Sequence, residues 1–257
     1  MHSNNLKFSP NSNNRLTFVG VGPGDSSLLT LAAIQAIQEA TVVAFPVSKE
    51  GGTSMALTIA SKWISKDQKR IPLFLPMLVQ EEALRKAWRI AGNKLAIEVA
   101  NMEQVVFLCQ GDVSLFATSS YLLFDIKENY PKCPIKIVPG INSFSAAAAI
   151  AHLPLAMQKE QLLIMPTPDD PKLLEGFIKE AGSYERILVL LKLGKRWSWV
   201  RDLLESMNLL ENAVFAQRVG FSDEKVTKSI QVPGDECPYF SLLIIRQSWP
   251  NLFPYET

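Results

Sequence analysis

Short, unbroken apolar runs separated by helix-like stretches constrain this chain most. In the first half RLTFVG (15–20), TVVAF (41–45) and VVFLC (105–109) lack the apolar–polar alternation of a half-wet sheet, and weaker runs lie at 70–75 and 135–138. Helical patterns fall between them at 28–39, 54–64, 80–100 and 114–129. Strands that are apolar on both faces and joined by helices predict a mainly parallel sheet covered on both sides.

The second half opens at the turn signal Pro139-Gly140, followed by an Ala-rich helix over 143–151. Strands are expected at 161–165, 186–191, 213–217, 225–230 and 240–246, with helices at 171–181 and 196–207. No helical pattern follows residue 210, so the last strands must pair antiparallel. The expected architecture is α/β in two domains: a parallel-rich domain over 15–138 and a mixed α/β domain over 139–257. A chain of 257 residues is long enough for two cores, and the cleft between two such domains is the expected ligand site. Residues 1–14 are polar, Asn/Ser-rich and without an apolar signal region, and are expected to form a disordered leader.

Composition removes several functional classes. A net charge of +1 gives no broad basic footprint, which argues against a nucleic-acid partner. No run approaches the roughly 18 apolar residues of a membrane span. The cysteines, Cys109, Cys133 and Cys237, are odd in number and widely spaced, as in a reduced cytoplasmic protein. With no CxxC pair and only His2 and His152, no zinc site is expected.

Three loops carry the chemistry. Gly20-Val21-Gly22-Pro23-Gly24-Asp25 follows the first strand. It departs from the dinucleotide fingerprint, because Asp25 takes the third glycine's place and no acid ends the second strand. Pro23 removes an N–H donor, and Asp25 repels phosphate while suiting a helix cap. A capped tight turn and a ligand loop both remain open on these residues alone. Gln110-Gly111-Asp112 follows the strand 105–109, at the carboxyl end where open α/β sheets bind ligands; Asp112 also suits a helix cap. In Val138-Pro139-Gly140-Ile141-Asn142-Ser143, Asn142 or Ser143 can cap the next helix.

The order GxGPGD, then QGD, then VPGI resembles the tetrapyrrole methylase family. Further segments are similar to its precorrin-2 C(20)-methyltransferases: Phe45-Pro46-Val47-Ser48-Lys49 with Gly51–Ala56, Leu75-Pro76-Met77 with Ala87-Trp88-Arg89, and Gly111-Asp112 with Tyr121-Leu122. The likeness runs from about Arg15 to Leu155 and more loosely to Arg246. Val113 departs from the family's frequent proline, and Asn101-Met102-Glu103 from its usual glycine-bearing turn.

The resemblance implies a cytoplasmic homodimer that uses S-adenosylmethionine, releases S-adenosylhomocysteine, requires no metal, and methylates carbon 20 of a cobalamin precursor. It implies cofactor contacts at Pro23, Gln110, Gly111, Asp112, Leu115, Asn142, Ser143, Leu191, Lys192, Gln217, Arg218 and Val219. Asp112 and Tyr121 are candidate proton acceptors, although no catalytic base is assigned. Lys49, Arg85 and Arg89 are candidates to meet the substrate's carboxylates, against the alternative of solvated surface charges. The alternatives are another ring position or macromolecular substrate within the family, a nicotinamide-dependent oxidoreductase, and a tetrapyrrole carrier.

Overall fold

The computed structural model describes residues 6–8, 14–49, 51–76, 80–235 and 240–250. Most of the expected leader, together with Met77 and Cys237, lies outside them. Within the leader, Leu6 and Phe8 are partly buried against the first core. The chain divides into two compact units, the first ending at Asn142 and the second beginning at Ser143.

In the first unit the order is β1 (Leu16–Gly20), α1 (Leu31–Glu39), β2 (Val42–Val47), α2 (Met55–Ala60), β3 (Lys69–Phe74), α3 (Glu81–Ala100), β4 (Val105–Cys109), α4 (Thr118–Asn129) and β5 (Ile135–Val138). The strands form one parallel sheet ordered β3-β2-β4-β1-β5. Both faces of the central strands β2, β4 and β1 are buried, as their unbroken apolar runs require, whereas the edge strands β3 and β5 are largely exposed. Phe18, Ala44 and Phe107 point into a core built with Leu95 and Val99 of α3 and Leu122 and Ile126 of α4. The alternate residues Val19, Val43, Val106 and Leu108 are equally buried on the other face.

The strand order picks out a candidate ligand site. The connections β1 to β2 and β2 to β3 run toward one edge, whereas β3 to β4 and β4 to β5 run back. Right-handed crossovers therefore put α1 and α2 on one face and α3 and α4 on the other. Adjacent β1 and β4 send their chains to opposite faces, which makes the gap beyond their carboxyl ends the topological switch point. The loops Gly20–Asp25 and Gln110–Asp112 both leave from there.

Local departures from the expected elements have local causes. Leu29 is extended, so the expected helix at 28–39 splits into a 3-10 turn at Ser26–Leu28 capped by Asp25 and a helix capped by Thr30. The expected helix at 114–129 starts only at Thr118, after Phe116 adopts a positive φ of 49°. In the turn lacking the family's glycine, Met102 itself takes φ 68°, a conformation unfavourable for a side chain with a Cβ.

The second unit contains α5 (Ser143–Ile150), β6 (Gln161–Pro166), α6 (Pro171–Ser183), β7 (Arg186–Leu191), α7 (Trp197–Ser206), β8 (Ala213–Gln217), β9 (Lys225–Lys228) and β10 (Ser241–Ile245). Its sheet is mixed and ordered β6-β7-β10-β8-β9, with β6 and β7 parallel and the other pairs antiparallel. The expected strand at 225–230 ends at Lys228 and turns into a 3-10 segment. The core places Leu174 and Ile178 of α6 and Trp197 and Leu204 of α7 over Leu188, Leu190, Phe215 and Leu243.

Candidate functional site

At the switch point the first two loops are joined backbone to backbone. Gly22 N–H donates to Gly111 O at 3.2 Å, and Gly111 N–H returns a bond to Gly22 O at 2.8 Å. The Gln110 side-chain amide donates to Pro23 O at 3.3 Å. Gly22 and Gly111 take φ values of 79° and 71°, where only glycine is unstrained.

Asp112 draws in the third loop. Its Oδ2 accepts the Gly140 N–H at 2.9 Å, while Oδ1 accepts the Ser114 N–H at 2.9 Å and also the Ser114 hydroxyl. The loops then touch without side chains between them. A Cβ on Gly20 would sit 2.5 Å from Gly140 N, and one on Gly140 would sit 2.2 Å from Gly111 O. Gly20 and Gly140 are thus glycines because backbone meets backbone. A Cβ on Gly111, by contrast, would meet nothing within 4 Å, so its backbone is open to an approaching ligand.

The electrostatics set the role of each group. Burial pushes the Asp112 carboxyl upward, but hydrogen bonds from Ser114, Gly140 and Val113 outweigh it and hold it below its ordinary value. Both oxygens are engaged, so Asp112 is a poor proton acceptor and a good anchor. The Asp25 carboxyl is lowered chiefly by the Ser27 N–H it caps at 2.7 Å. Burial pushes the Cys109 thiol up to about 11, against its hydrogen bond with Ser119, which leaves it inert as a nucleophile.

A pH dependence follows. Because the folded Asp112 pKa lies below the unfolded one, its contribution is fully present above about pH 4 and is lost as pH falls through the folded value. Asp112→Asn is expected to destabilise the first unit by about 1–3 kcal/mol at neutral pH. Urea midpoints measured against pH should show the wild-type advantage shrinking below about pH 4; a constant gap would remove the charge from the anchor's role.

Leu115 lies on the loop between Asp112 and α4, where Val113 is buried and its carbonyl accepts the Ser119 and Ser120 hydroxyls at 3.1 and 3.3 Å. These bonds hold a loop that lacks the family's proline. Asn142 closes the first unit and Ser143 starts α5. Lys49 is exposed just beyond β2. Arg85 pairs with Glu81 at 2.7 Å, Arg89 pairs with Asp125 at 2.8 Å, and Tyr121 stacks on Trp88.

In the second unit β7 and β8 both run antiparallel to β10, so they are parallel to each other and end at one sheet edge. Register sets Leu191 opposite Leu242 and Gln217 opposite Ser241, two strand spacings apart. Lys192 and Arg218 follow at positive φ, 56° and 47°. Arg218 pairs with Asp223 at 2.6 Å and lies over Phe221. Gln217 Oε1 is buried without a hydrogen-bond partner, a cost that a bound donor would remove. Thr167, missed from sequence, closes the same edge by donating its N–H and hydroxyl to Leu191 O at 2.8 and 2.9 Å. A lone threonine after a strand gives no signal of that role.

The described residues contain no group of three or more potential metal ligands and no helix long and apolar enough to cross a membrane. The family model for tetrapyrrole (corrin/porphyrin) methylases matches residues 15–230. The cobalt-precorrin-2 C(20)-methyltransferase of Salmonella typhimurium is 29% identical over 241 residues, covering 92% of this chain and 98% of its own. The probable enzyme of the same name from Methanocaldococcus jannaschii is 33% identical, covering 89% of this chain and 94% of its own. Among solved structures, a cobalt precorrin-4 methyltransferase aligns with a TM-score of 0.65 at 18% identity, covering 90% of this chain and 94% of its own. A Thermus thermophilus uroporphyrin-III C-methyl transferase complexed with S-adenosyl homocysteine aligns at 0.58 and 18% identity, covering 90% and 96%. At such identities the structural likeness establishes the fold.

Proposed function

The chain belongs to the tetrapyrrole methylase family, and on that premise we propose that it methylates carbon 20 of a precorrin-2-type tetrapyrrole in cobalamin biosynthesis, using S-adenosylmethionine. The observation that carries this is the match over nearly the full length of relatives named for that reaction. Family membership also removes the nicotinamide reading, which the Pro23 and Asp25 chemistry already disfavoured.

The residues present fit the cofactor. The open backbone at Gly111 allows close approach, and the unpartnered Gln217 Oε1 suits an amino or hydroxyl donor. Pro23, Gln110, Gly111, Asp112 and Leu115 are its proposed contacts in the first unit, with Asn142 and Ser143 after the VPGI turn. Leu191, Lys192, Gln217, Arg218 and Val219 are those of the second. When bound, S-adenosylmethionine supplies a methyl group already activated on a sulfonium, so the reading requires no metal.

The chain's own work is positional. It holds acceptor and donor in line, where a small misplacement costs much of the rate. Asp112 keeps the three loops in register. No base is assigned to remove the proton from carbon 20, since Asp112 is fully engaged and Tyr121 is stacked at the surface. The reading includes a cytoplasmic homodimer, supported by the family resemblance.

Incubation with methyl-labelled S-adenosylmethionine and either metal-free precorrin-2 or its cobalt complex tests the reaction, with NMR locating the label. Label at carbon 20 is expected; label at another ring carbon would keep the family and overturn the position. Lys49→Ala is expected to weaken tetrapyrrole binding and leave S-adenosylhomocysteine affinity unchanged. Calorimetric titration checks this, and unaltered tetrapyrrole affinity would return Lys49 to an ordinary surface charge.

A further inference from the structure

Trp88 of α3 and Tyr121 of α4 form a parallel stack, with ring centroids 4.5 Å apart and planes within 3°. Trp88 is partly buried and packs against the first core, so its plane is held by the fold. The indole covers one face of Tyr121, yet that residue is 55% exposed, which leaves its other face open to solvent. Phe124, one turn further along α4, is 67% exposed and extends the same aromatic surface.

The stack stands on the functional edge of the sheet. In a parallel sheet α3 after β3 and α4 after β4 both start from the carboxyl-end edge, where the Gln110–Asp112 loop lies. Ser119 and Ser120 tie the first turn of α4 to Val113 of that loop. Tyr121 is the next residue.

Charge flanks the rings. Arg85 and Arg89 lie one turn apart on α3, on either side of Trp88 in sequence. The Arg85–Glu81 pair has side chains 72% and 74% exposed, so it contributes little and releases Arg85 easily to another carboxylate. Arg89 is held in place by the largely buried carboxylate of Asp125. An open aromatic face beside a helix that also carries two guanidinium groups suits a flat, conjugated, polycarboxylate ring: stacking serves its plane and charge-assisted hydrogen bonds serve its rim.

We propose that Trp88 and Tyr121 form a positioning platform on which the tetrapyrrole ring rests face to face, with Arg85 and Arg89 meeting its carboxylates. This rests on the tetrapyrrole reading above.

The test is titration of uroporphyrin III, a planar octacarboxylate, into the full chain while following its Soret absorbance. Trp88→Leu and Tyr121→Ala are each expected to weaken binding about tenfold, and Trp88→Phe, which keeps a ring, by no more than about twofold. S-adenosylhomocysteine affinity and the circular dichroism spectrum should stay at wild-type values. Tyr121→Ala removes a mostly exposed ring, so it reports on the platform even if Trp88→Leu fails to fold. Equal uroporphyrin affinity in wild type and Tyr121→Ala, or no binding by wild type, would overturn the platform. So would unchanged affinity with an altered sedimentation coefficient, which would assign the stack to contact between copies. Methyl label at another ring carbon, with the variants still losing uroporphyrin affinity, would overturn the carbon-20 assignment and leave the platform standing.

Discussion

Gly140→Ala is expected to abolish S-adenosylmethionine binding and to destabilise the first unit by about 3 kcal/mol or more. The added methyl would lie 2.2 Å from Gly111 O and 2.8 Å from Gly20 C, and both are backbone atoms that cannot rotate aside. Relief requires the VPGI loop to move away, which breaks the 2.9 Å bond from Gly140 N–H to Asp112 and leaves a buried carboxylate short of a donor. Gly20→Ala should behave alike, since its Cβ would meet Gly140 N at 2.5 Å. For stability, Gly111→Ala is the control: its Cβ meets no protein atom within 4 Å, so its unfolding cost is the positive φ alone, about 1–2 kcal/mol. Urea unfolding and calorimetric titration of S-adenosylmethionine measure both effects. A Gly140→Ala protein with wild-type midpoint and affinity would show that the loops need not touch.

Glu160→Ala should be the most damaging single change in the second unit, at about 3–5 kcal/mol. Its carboxylate forms a two-armed ion pair with Arg246 in which the side chains are 2% and 3% exposed. The same carboxylate accepts the Met157 N–H at 2.7 Å, and Arg246 donates to Pro154 O at 2.9 Å while lying over Trp249. The pair therefore fastens the 154–160 loop to the end of β10. Removing Glu160 alone strands a guanidinium with no route to water. Replacing both partners with methionine should cost much less, because no charge is then left buried. Denaturant midpoints for the single and double variants decide this: equal losses would show that lost packing dominates and that the charge does not.

Much of the fold was legible because burial on both faces leaves a mark in the sequence. A strand covered on both sides is apolar through its middle, so 105–109, 186–191 and 213–217 match the observed strands at both ends; 135–138 matches too, although it is an edge strand with Lys136 and Ile137 exposed. Helix starts were less legible. Whether 26–31 forms one helix or a 3-10 turn and a helix depends on competing caps at Asp25 and Thr30, and both residue types cap well.

The sequence by itself determined the class of the sheet and the family, and it singled out the loops proposed to hold the ligand, since each is a property of residues close together along the chain. Only the tertiary structure decided what those loops do to one another. It turned Asp112 from a candidate proton acceptor into the anchor of Gly140, and it explained Gly20 and Gly140 by mutual contact. It also brought Trp88 onto Tyr121 and Glu160 onto Arg246. Those pairings join residues far apart along the chain, and a contact set by helix packing or strand register has no periodicity for a linear sequence to display.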